Sequence, residues 1–261
     1  MRSSPYHDSL YRQLRPQGLF YNPPMADKNN PIIDKLFSVG AHFGYSPSRR
    51  HPSASQYIFG AKGGVELFDL EQVAALLGEA LAFVKSLAAE RKTILFVGGK
   101  AEAREALKRT ALRLNQPYSA GRWIGGTMTN YSEIKKRLQK LEDHVGMRDR
   151  GELAKFTKKE RLLMEREVTD LETMFGGLRG QTRNPDALFV IDPKQESIAV
   201  AEATQLRIPV IALMNSDCDR ASVTYPIPAN DAAREVIQYV LTEVADTYEK
   251  NLPPAAPAPV L

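Results

Sequence analysis

Cysteine is nearly absent from this chain of 261 residues, where Cys218 is the only one. A lone thiol excludes an intramolecular disulfide framework and a cysteine-based zinc finger, and it suits a reducing compartment. Long hydrophobic runs are missing too. No stretch approaches the roughly eighteen consecutive apolar residues of a spanning helix. The densest apolar segments, Thr93–Val97 and Ile208–Met214, are strand-length and bounded by turn residues. Nor does charge of one sign dominate: 35 Lys and Arg face 31 Asp and Glu, a net +4 with a pI near 9.0. That mild excess is compatible with a polyanionic partner but identifies none, because clustering and not total charge makes a binding surface. At 43% hydrophobic and 25% charged the composition is that of a globular chain, long enough to bury a core.

What is present alternates. Tyr57-Ile58-Phe59 and Val65–Leu70, joined at Gly63-Gly64, read as a hairpin. Glu71–Ala89 carries Leu76, Leu77, Ala80, Leu81, Val84 and Leu87 at helical spacing. Three strand-then-helix units follow: Thr93–Val97 with Ala101–Leu114, Ala187–Ile191 with Glu196–Leu206, and Ile208–Leu213 with a strand near Val223–Ile227 and the helix Asp231–Tyr248. Apolar strands separated by amphipathic helices predict an α/β fold, a doubly wound parallel sheet covered on both faces.

Residues 130–178 break that rhythm. Ile134, Leu138, Leu141 and Val145 form one seam, and Met164, Val168, Leu171, Phe175 and Leu178 form another, with heptad-like steps of three and four. A polar turn around Gly146–Gly151 separates them. Asn130 with Glu133, and Thr157 with Glu160, have the spacing of capping boxes. The expectation is an inserted antiparallel coiled-coil helical hairpin that leaves the α/β domain (31–129 and 179–252) as a charged arm. Its outer faces carry Lys135, Lys136, Arg137, Lys140, Lys158, Lys159 and Arg161.

The termini differ in kind. Residues 1–24 hold Arg2, Arg12 and Arg15 against one acid, Asp8. Two readings stay open: an Arg-rich transit segment, whose amphipathic helix Pro5, Pro16, Pro23 and Pro24 would break, or a natural start at Met25. Residues 1–30 are expected to form a disordered extension, and 253–261 a disordered Pro/Ala-rich tail.

Four constellations could carry chemistry. The turn Val97-Gly98-Gly99-Lys100, after a strand and before a helix, lies where α/β folds bind phosphates. It lacks the spacing of a Walker or dinucleotide loop, so a tight turn is the better reading. Arg122-Trp123-Ile124-Gly125-Gly126-Thr127-Met128-Thr129-Asn130 combines a cation, the only Trp, permissive glycines and hydrogen-bonding side chains, as suits a loop against a phosphodiester backbone. The alternative is a packed turn with Trp123 in the core and Asn130 capping the arm. His42, His51, His144 and Cys218 have no metal-site spacing, so no metal is expected. Asn215-Ser216-Asp217-Cys218-Asp219-Arg220 follows a strand end, but turn chemistry accounts for its residue types without catalysis.

These residues carry a resemblance. Gly40-Ala41-His42-Phe43-Gly44, Tyr57-Ile58-Phe59-Gly60, Leu95-Phe96-Val97-Gly98 and the Arg122–Asn130 run are followed in order by Asn184-Pro185-Asp186, Ile191-Asp192-Pro193 and Tyr225-Pro226-Ile227-Pro228-Ala229-Asn230-Asp231. From about Ile32 to about Leu252 the chain resembles the bacterial-type small-subunit ribosomal protein 2 family. The resemblance implies a Rossmann-like (flavodoxin-like) domain with a coiled-coil hairpin, and a structural role in the small ribosomal subunit. It implies partners: 16S-type rRNA and neighbouring ribosomal proteins, the large messenger-binding protein among them. Neither catalysis, cofactor, membrane nor small-molecule substrate is implied. The chain departs from the family at Tyr45, usually a second His, and in the loop Arg49-Arg50-His51-Pro52, which lacks the usual Trp-Asn. It departs again at Asn215-Ser216-Asp217, usually Asp-Thr-Asn, and at Asp231-Ala232, usually paired aspartates.

The residues expected at rRNA are Arg49, Arg50, Arg122, Lys135, Lys136, Lys158 and Lys159 on phosphates, with Trp123, Thr127, Thr129 and Asn130 shaping or completing the surface. The weak case for a transit helix favours a bacterial cytoplasm over an organelle matrix. Two rivals remain: an enzyme using the sheet edge near Gly98 and Asn215 for a nucleotide or sugar phosphate, and a protein adaptor acting through the arm.

Overall fold

A computed structural model of the chain describes residues 31–181 and 183–254. Strands β3 (Ile94–Val97), β5 (Ala187–Ile191) and β6 (Val210–Met214) are buried at every position. They form the centre of a five-stranded sheet in the order β4-β3-β5-β6-β7, with β4 (Tyr118–Ser119) and β7 (Tyr225–Pro228) at its edges. Every pairing is parallel: Phe96 lies opposite Phe189, Phe189 opposite Ile211, and Ile211 opposite Tyr225. Burial on both faces is why these strands read as continuous apolar runs and not as alternating ones.

The period-two alternation of a strand divides these side chains between two cores. Ile94, Phe96, Phe189, Ile191, Ile211 and Leu213 face one core, built with α1 (Pro31–Ser38), α2 (Leu70–Ala89), α3 (Ala101–Arg113) and α7 (Arg234–Lys250). Leu95, Val97, Leu188, Val190, Val210 and Ala212 face the other, built with α4 (Tyr131–Asp149), α5 (Lys158–Phe175) and α6 (Ser197–Gln205). Helices therefore cover both faces, which is the doubly wound α/β arrangement. A separate antiparallel hairpin, β1 (Ile58–Lys62) with β2 (Val65–Phe68), turns at Gly63 and Gly64, both at positive φ. Helix α2, capped by the Asp69 carboxylate accepting from the Glu71 amide, is by length and composition apolar enough to cross a membrane. Here its buried stripe, from Leu70 through Val84 to Ala88, lies in the core.

Helices α4 and α5 pack against one another. Ile134, Leu138, Leu141, Val168, Leu171, Phe175 and Leu178 all enter the second core, so the predicted seams do the packing at the base of the arm. Among the described residues from 142 to 167 none is buried. The capping box at Thr157 and Glu160 forms: Thr157 Oγ1 accepts from the Glu160 amide at 3.4 Å and the Thr157 amide donates to Glu160 Oε2 at 2.9 Å. The one expected at Asn130 does not. Asn130 precedes α4 with no side-chain cap, and the Glu133 carboxylate instead accepts from Lys136 Nζ at 2.6 Å.

Other boundaries shift for physical reasons. Helix α7 starts at Arg234, later than the expected Asp231, because Asp231 is wholly buried and held by Lys100 and Asn215. The edge strand β4 had no counterpart in the sequence reading. The expectations for residues 1–30 and 255–261 lie outside the described residues. Pro253 and Pro254, the first two of the expected tail, offer their carbonyl oxygens to Arg91 at 3.0 and 2.8 Å.

Candidate nucleic-acid interface

The loop from Arg122 to Asn130 joins β4 to the arm, and a single carboxylate organises it. Glu202, on α6, accepts from Trp123 Nε1 (3.0 Å) and the Gly126 amide (2.7 Å) at Oε1. At Oε2 it accepts from the amides of Met128 and Thr129 (both 3.0 Å) and from Thr129 Oγ1 (3.1 Å). Burial alone would raise its carboxyl, but the hydrogen bonds from Trp123, Thr129, Met128 and Gly126 outweigh it and hold it below the ordinary glutamate range. Gly126 sits at φ +87°, a conformation glycine adopts without strain. Of the packed-turn alternative, the buried Trp123 is found and the cap at Asn130 is not. Trp123 and Thr127 are buried, and Thr127 Oγ1 donates to the Ile124 carbonyl at 2.6 Å, so both act by shaping the loop from beneath. Arg122, Thr129 and Asn130 are exposed above it.

The basic positions fall into two groups. Arg122, Lys135, Lys158 and Lys159 are exposed and make no ion pair with a described residue. Lys136 pairs with Glu133 at 2.6 Å. Arg49 pairs with Asp217 at 3.2 Å while its guanidinium lies 4.0 Å from the Tyr45 ring centroid, and Arg50 pairs with the buried Glu66 at 3.0 Å. The loop bearing both arginines is stitched to the segment after β6. The amide of Tyr45 donates to Ser216 Oγ (3.1 Å), that of His51 to the Ser216 carbonyl (2.8 Å), and Ser53 Oγ to Asp219 Oδ1 (3.3 Å). The structure thus gives Arg49 and Arg50 a partner within the chain, and they do not lie on the Arg122 loop.

A buried polar cluster lies at the C-terminal ends of β3, β5, β6 and β7. Lys100 Nζ sits 2.7 Å from Asp192 Oδ2 and 2.8 Å from Asp231 Oδ2, and Asn215 Nδ2 donates to Asp231 Oδ1 at 3.0 Å. Burial opposes the charge on Lys100, yet the carboxylates of Asp231 and Asp192 outweigh it and hold the ammonium above the ordinary lysine range. Asp192, Cys218 and Asp231 offer atoms within 4.8 Å of one another, a spacing that could hold a metal ion. In this arrangement the Lys100 ammonium supplies the positive charge between the two carboxylates. Burial, followed by the carboxylates around it, pushes the Cys218 thiol well up, which is the reverse of an activated nucleophile. His42 stacks on Phe37 and meets Phe43 at a tilt, with ring centroids 4.6 and 4.0 Å away, and His51 accepts from the Ser53 amide at 3.3 Å. The two histidines are thus engaged separately.

The sheet's C-terminal edge holds one further feature, a cleft of about 230 Å³ lined by Gly99, Arg104, Arg122, Trp123, Gln195, Glu196 and Ile198. Sequence reasoning did not find Arg104 or Glu202. For Glu202 a signal existed: it shares a helical face with Ala199, Ala203 and Leu206, where a lone charge is out of place.

The chain is similar to known proteins along most of its length. A family model described as ribosomal protein S2 matches residues 36–251. The small ribosomal subunit protein uS2 of Chloroflexus aggregans is 40% identical over 214 residues, covering 82% of this chain and 90% of that protein. The uS2 protein of Chloroflexus aurantiacus matches with the same identity and coverage.

Proposed function

The chain belongs to the ribosomal protein S2 family, and from that premise we propose that it is a structural constituent of the small ribosomal subunit. It binds 16S-type rRNA and neighbouring ribosomal proteins, supports translation in the ribosome of a bacterial cytoplasm, and is not an enzyme. The observation that carries this reading is the match along nearly the whole α/β domain and arm, at 40% identity to proteins of that name.

The finer assignment starts from the exposed cations. Arg122, Lys135, Lys158 and Lys159, which have no ion-pair partner among the described residues, are the primary phosphate contacts. Arg49, Arg50 and Lys136 contact phosphate only by exchanging their carboxylates for it, which cuts the net gain. Trp123, Thr127, Thr129 and Asn130 hold the surface that presents Arg122. For protein neighbours, among which we place the large messenger-binding protein, the arm offers Leu162 and Leu163, exposed at 48% and 54%. The Leu162→Ser, Leu163→Ser double variant is expected to weaken that contact and leave RNA binding intact.

The test of the RNA surface is equilibrium binding of the purified chain to small subunits that lack it, over a series of salt concentrations. Each lost phosphate contact should shallow the slope of log K against log salt by about 0.7–0.9. Arg122→Ala combined with Lys135→Ala, which removes two contacts, should shallow it by about twice that amount, and an unchanged slope removes both residues from the contact surface.

A further inference from the structure

The sheet reverses its winding between β3 and β5: β4 lies on one side of β3, while β5, β6 and β7 run away on the other. At such a switch point the connections leave the two strands in opposite directions and open a crevice outside their C-terminal ends. The cleft of about 230 Å³ is that crevice, with Gly99 after β3 on one wall and Gln195 and Glu196 after β5 on the other.

Three features decide what it can take. First, its charge comes from two guanidinium groups. Arg104 and Arg122 both line it, and neither has an ion-pair partner among the described residues. Arg104 Nε donates to the Gly99 carbonyl at 3.1 Å, which fixes the side chain at the turn and leaves its terminal N–H groups for a ligand. Second, the turn's own donor is taken. The Gly99 amide, which would face the phosphate in a nucleotide site, donates to buried Glu196 Oε1 at 2.9 Å. A Cβ at Gly99 would lie 2.8 Å from that same oxygen, so the turn is closed on the inside. Two guanidinium cations face one carboxylate, that of Glu196, so the lining has a net positive charge. Third, the cleft is smaller than the roughly 300 Å³ at which small-molecule pockets begin. Trp123 is buried, and its Nε1–H is spent on Glu202. A single phosphate group fits these limits and a nucleotide does not.

We propose that this cleft is a phosphate site in which Arg104 and Arg122 together grip one phosphodiester of the small-subunit rRNA backbone. The proposal rests on the reading of Arg122 as RNA-facing and adds Arg104 and a shared ligand to it. Arginine suits the role because its planar fork meets phosphate oxygens in pairs.

The test uses the full chain and small subunits that lack it, with binding followed across a KCl series. Arg104→Ala should weaken binding several-fold at low salt, and Arg104→Lys, which keeps the charge but loses the fork and the bond to Gly99, should recover only part of the loss. Because one phosphate is shared, the Arg104→Ala, Arg122→Ala double variant should shallow the salt slope by only about 0.7–0.9. A double variant that changes the slope by twice that amount would mean two separate phosphates and overturn the shared site. No change with Arg104→Ala, alongside a change with Arg122→Ala, removes Arg104 and leaves the Arg122 reading standing. If only Lys135→Ala shifts the slope the cleft fails and the arm survives, whereas no shift in any variant overturns both readings. A free anion offers the same chemistry, so thermal melting is measured in inorganic phosphate against chloride at equal ionic strength. A phosphate shift lost in Arg104→Ala, with RNA binding untouched, would assign the cleft to a small anion and overturn the RNA source.

Discussion

The indole Nε1 of Trp123 donates to Oε1 of Glu202 across 3.0 Å, at a point where the two residues are only 5% and 6% exposed. One glutamate on α6 thereby fixes the loop that leads into the arm, since the same carboxylate also holds Gly126, Met128 and Thr129. In Glu202→Gln one acceptor oxygen becomes an NH2 group facing donors. An unsatisfied buried donor costs about 1–3 kcal/mol, so urea unfolding should lose that amount. The emission of Trp123, the only tryptophan, should move to longer wavelength as its pocket loosens. Unchanged stability and emission would contradict the role assigned to Glu202.

The pH dependence follows from the same group. Its folded carboxyl is held below the ordinary value of 4.5, so the folded state binds a proton less readily than the unfolded chain. That contribution is fully present above about pH 4.5 and is lost as pH falls through the lowered folded value. The wild type should therefore lose stability on acidification more steeply than Glu202→Gln. Denaturant melts over this acid range provide the comparison, and parallel curves would contradict it.

Lys100 offers a second buried charge to remove. Lys100→Met leaves the Asp192 and Asp231 carboxylates facing one another without their ammonium. Breaking a buried pair from one side costs about 3–5 kcal/mol. A loss of that order is expected in chemical denaturation, and one under about 1 kcal/mol would mean that the cluster is more hydrated than its burial implies.

Two glycines should respond in opposite directions. A Cβ at Gly177 would lie 2.2 Å from the Tyr118 carbonyl oxygen and 2.7 Å from its ring, where backbone must move. Gly177→Ala should cost at least the roughly 1–3 kcal/mol of an overpacked site. At Gly78, exposed on α2, nothing lies within 4 Å, and Gly78→Ala should add about 0.5–1 kcal/mol through helix propensity. Melting both variants beside the wild type checks the pair.

The sequence made the sheet legible because β3, β5 and β6 are apolar along their whole length, and the arm legible because its seams keep helical spacing from Ile134 to Phe175. Strand β4 was not legible, since two residues carry no period. At Asn130 a capping signature in the sequence went unused: its Oδ1 accepts from Ser132 Oγ, and the Glu133 carboxylate accepts from Lys136 Nζ. The site was only partly visible. The run from Arg122 to Asn130 stood out by composition, but whether Trp123 faced in or out depended on Glu202, far along the chain. The ion pairs of Arg49 with Asp217 and Arg50 with Glu66 are likewise long-range, and no local pattern announces them. Arg104 looked like any solvated residue on a helix until the switch-point geometry set it beside Arg122.

The central claim, membership of the small subunit, is tested most directly by sedimentation of tagged protein from cells through sucrose gradients. One gradient is run at magnesium that keeps ribosomes whole and another at magnesium that splits them. The account predicts that the protein travels with whole ribosomes in the first and with the small subunit alone in the second. Protein that stays at the top of both gradients would leave the fold standing and contradict the function.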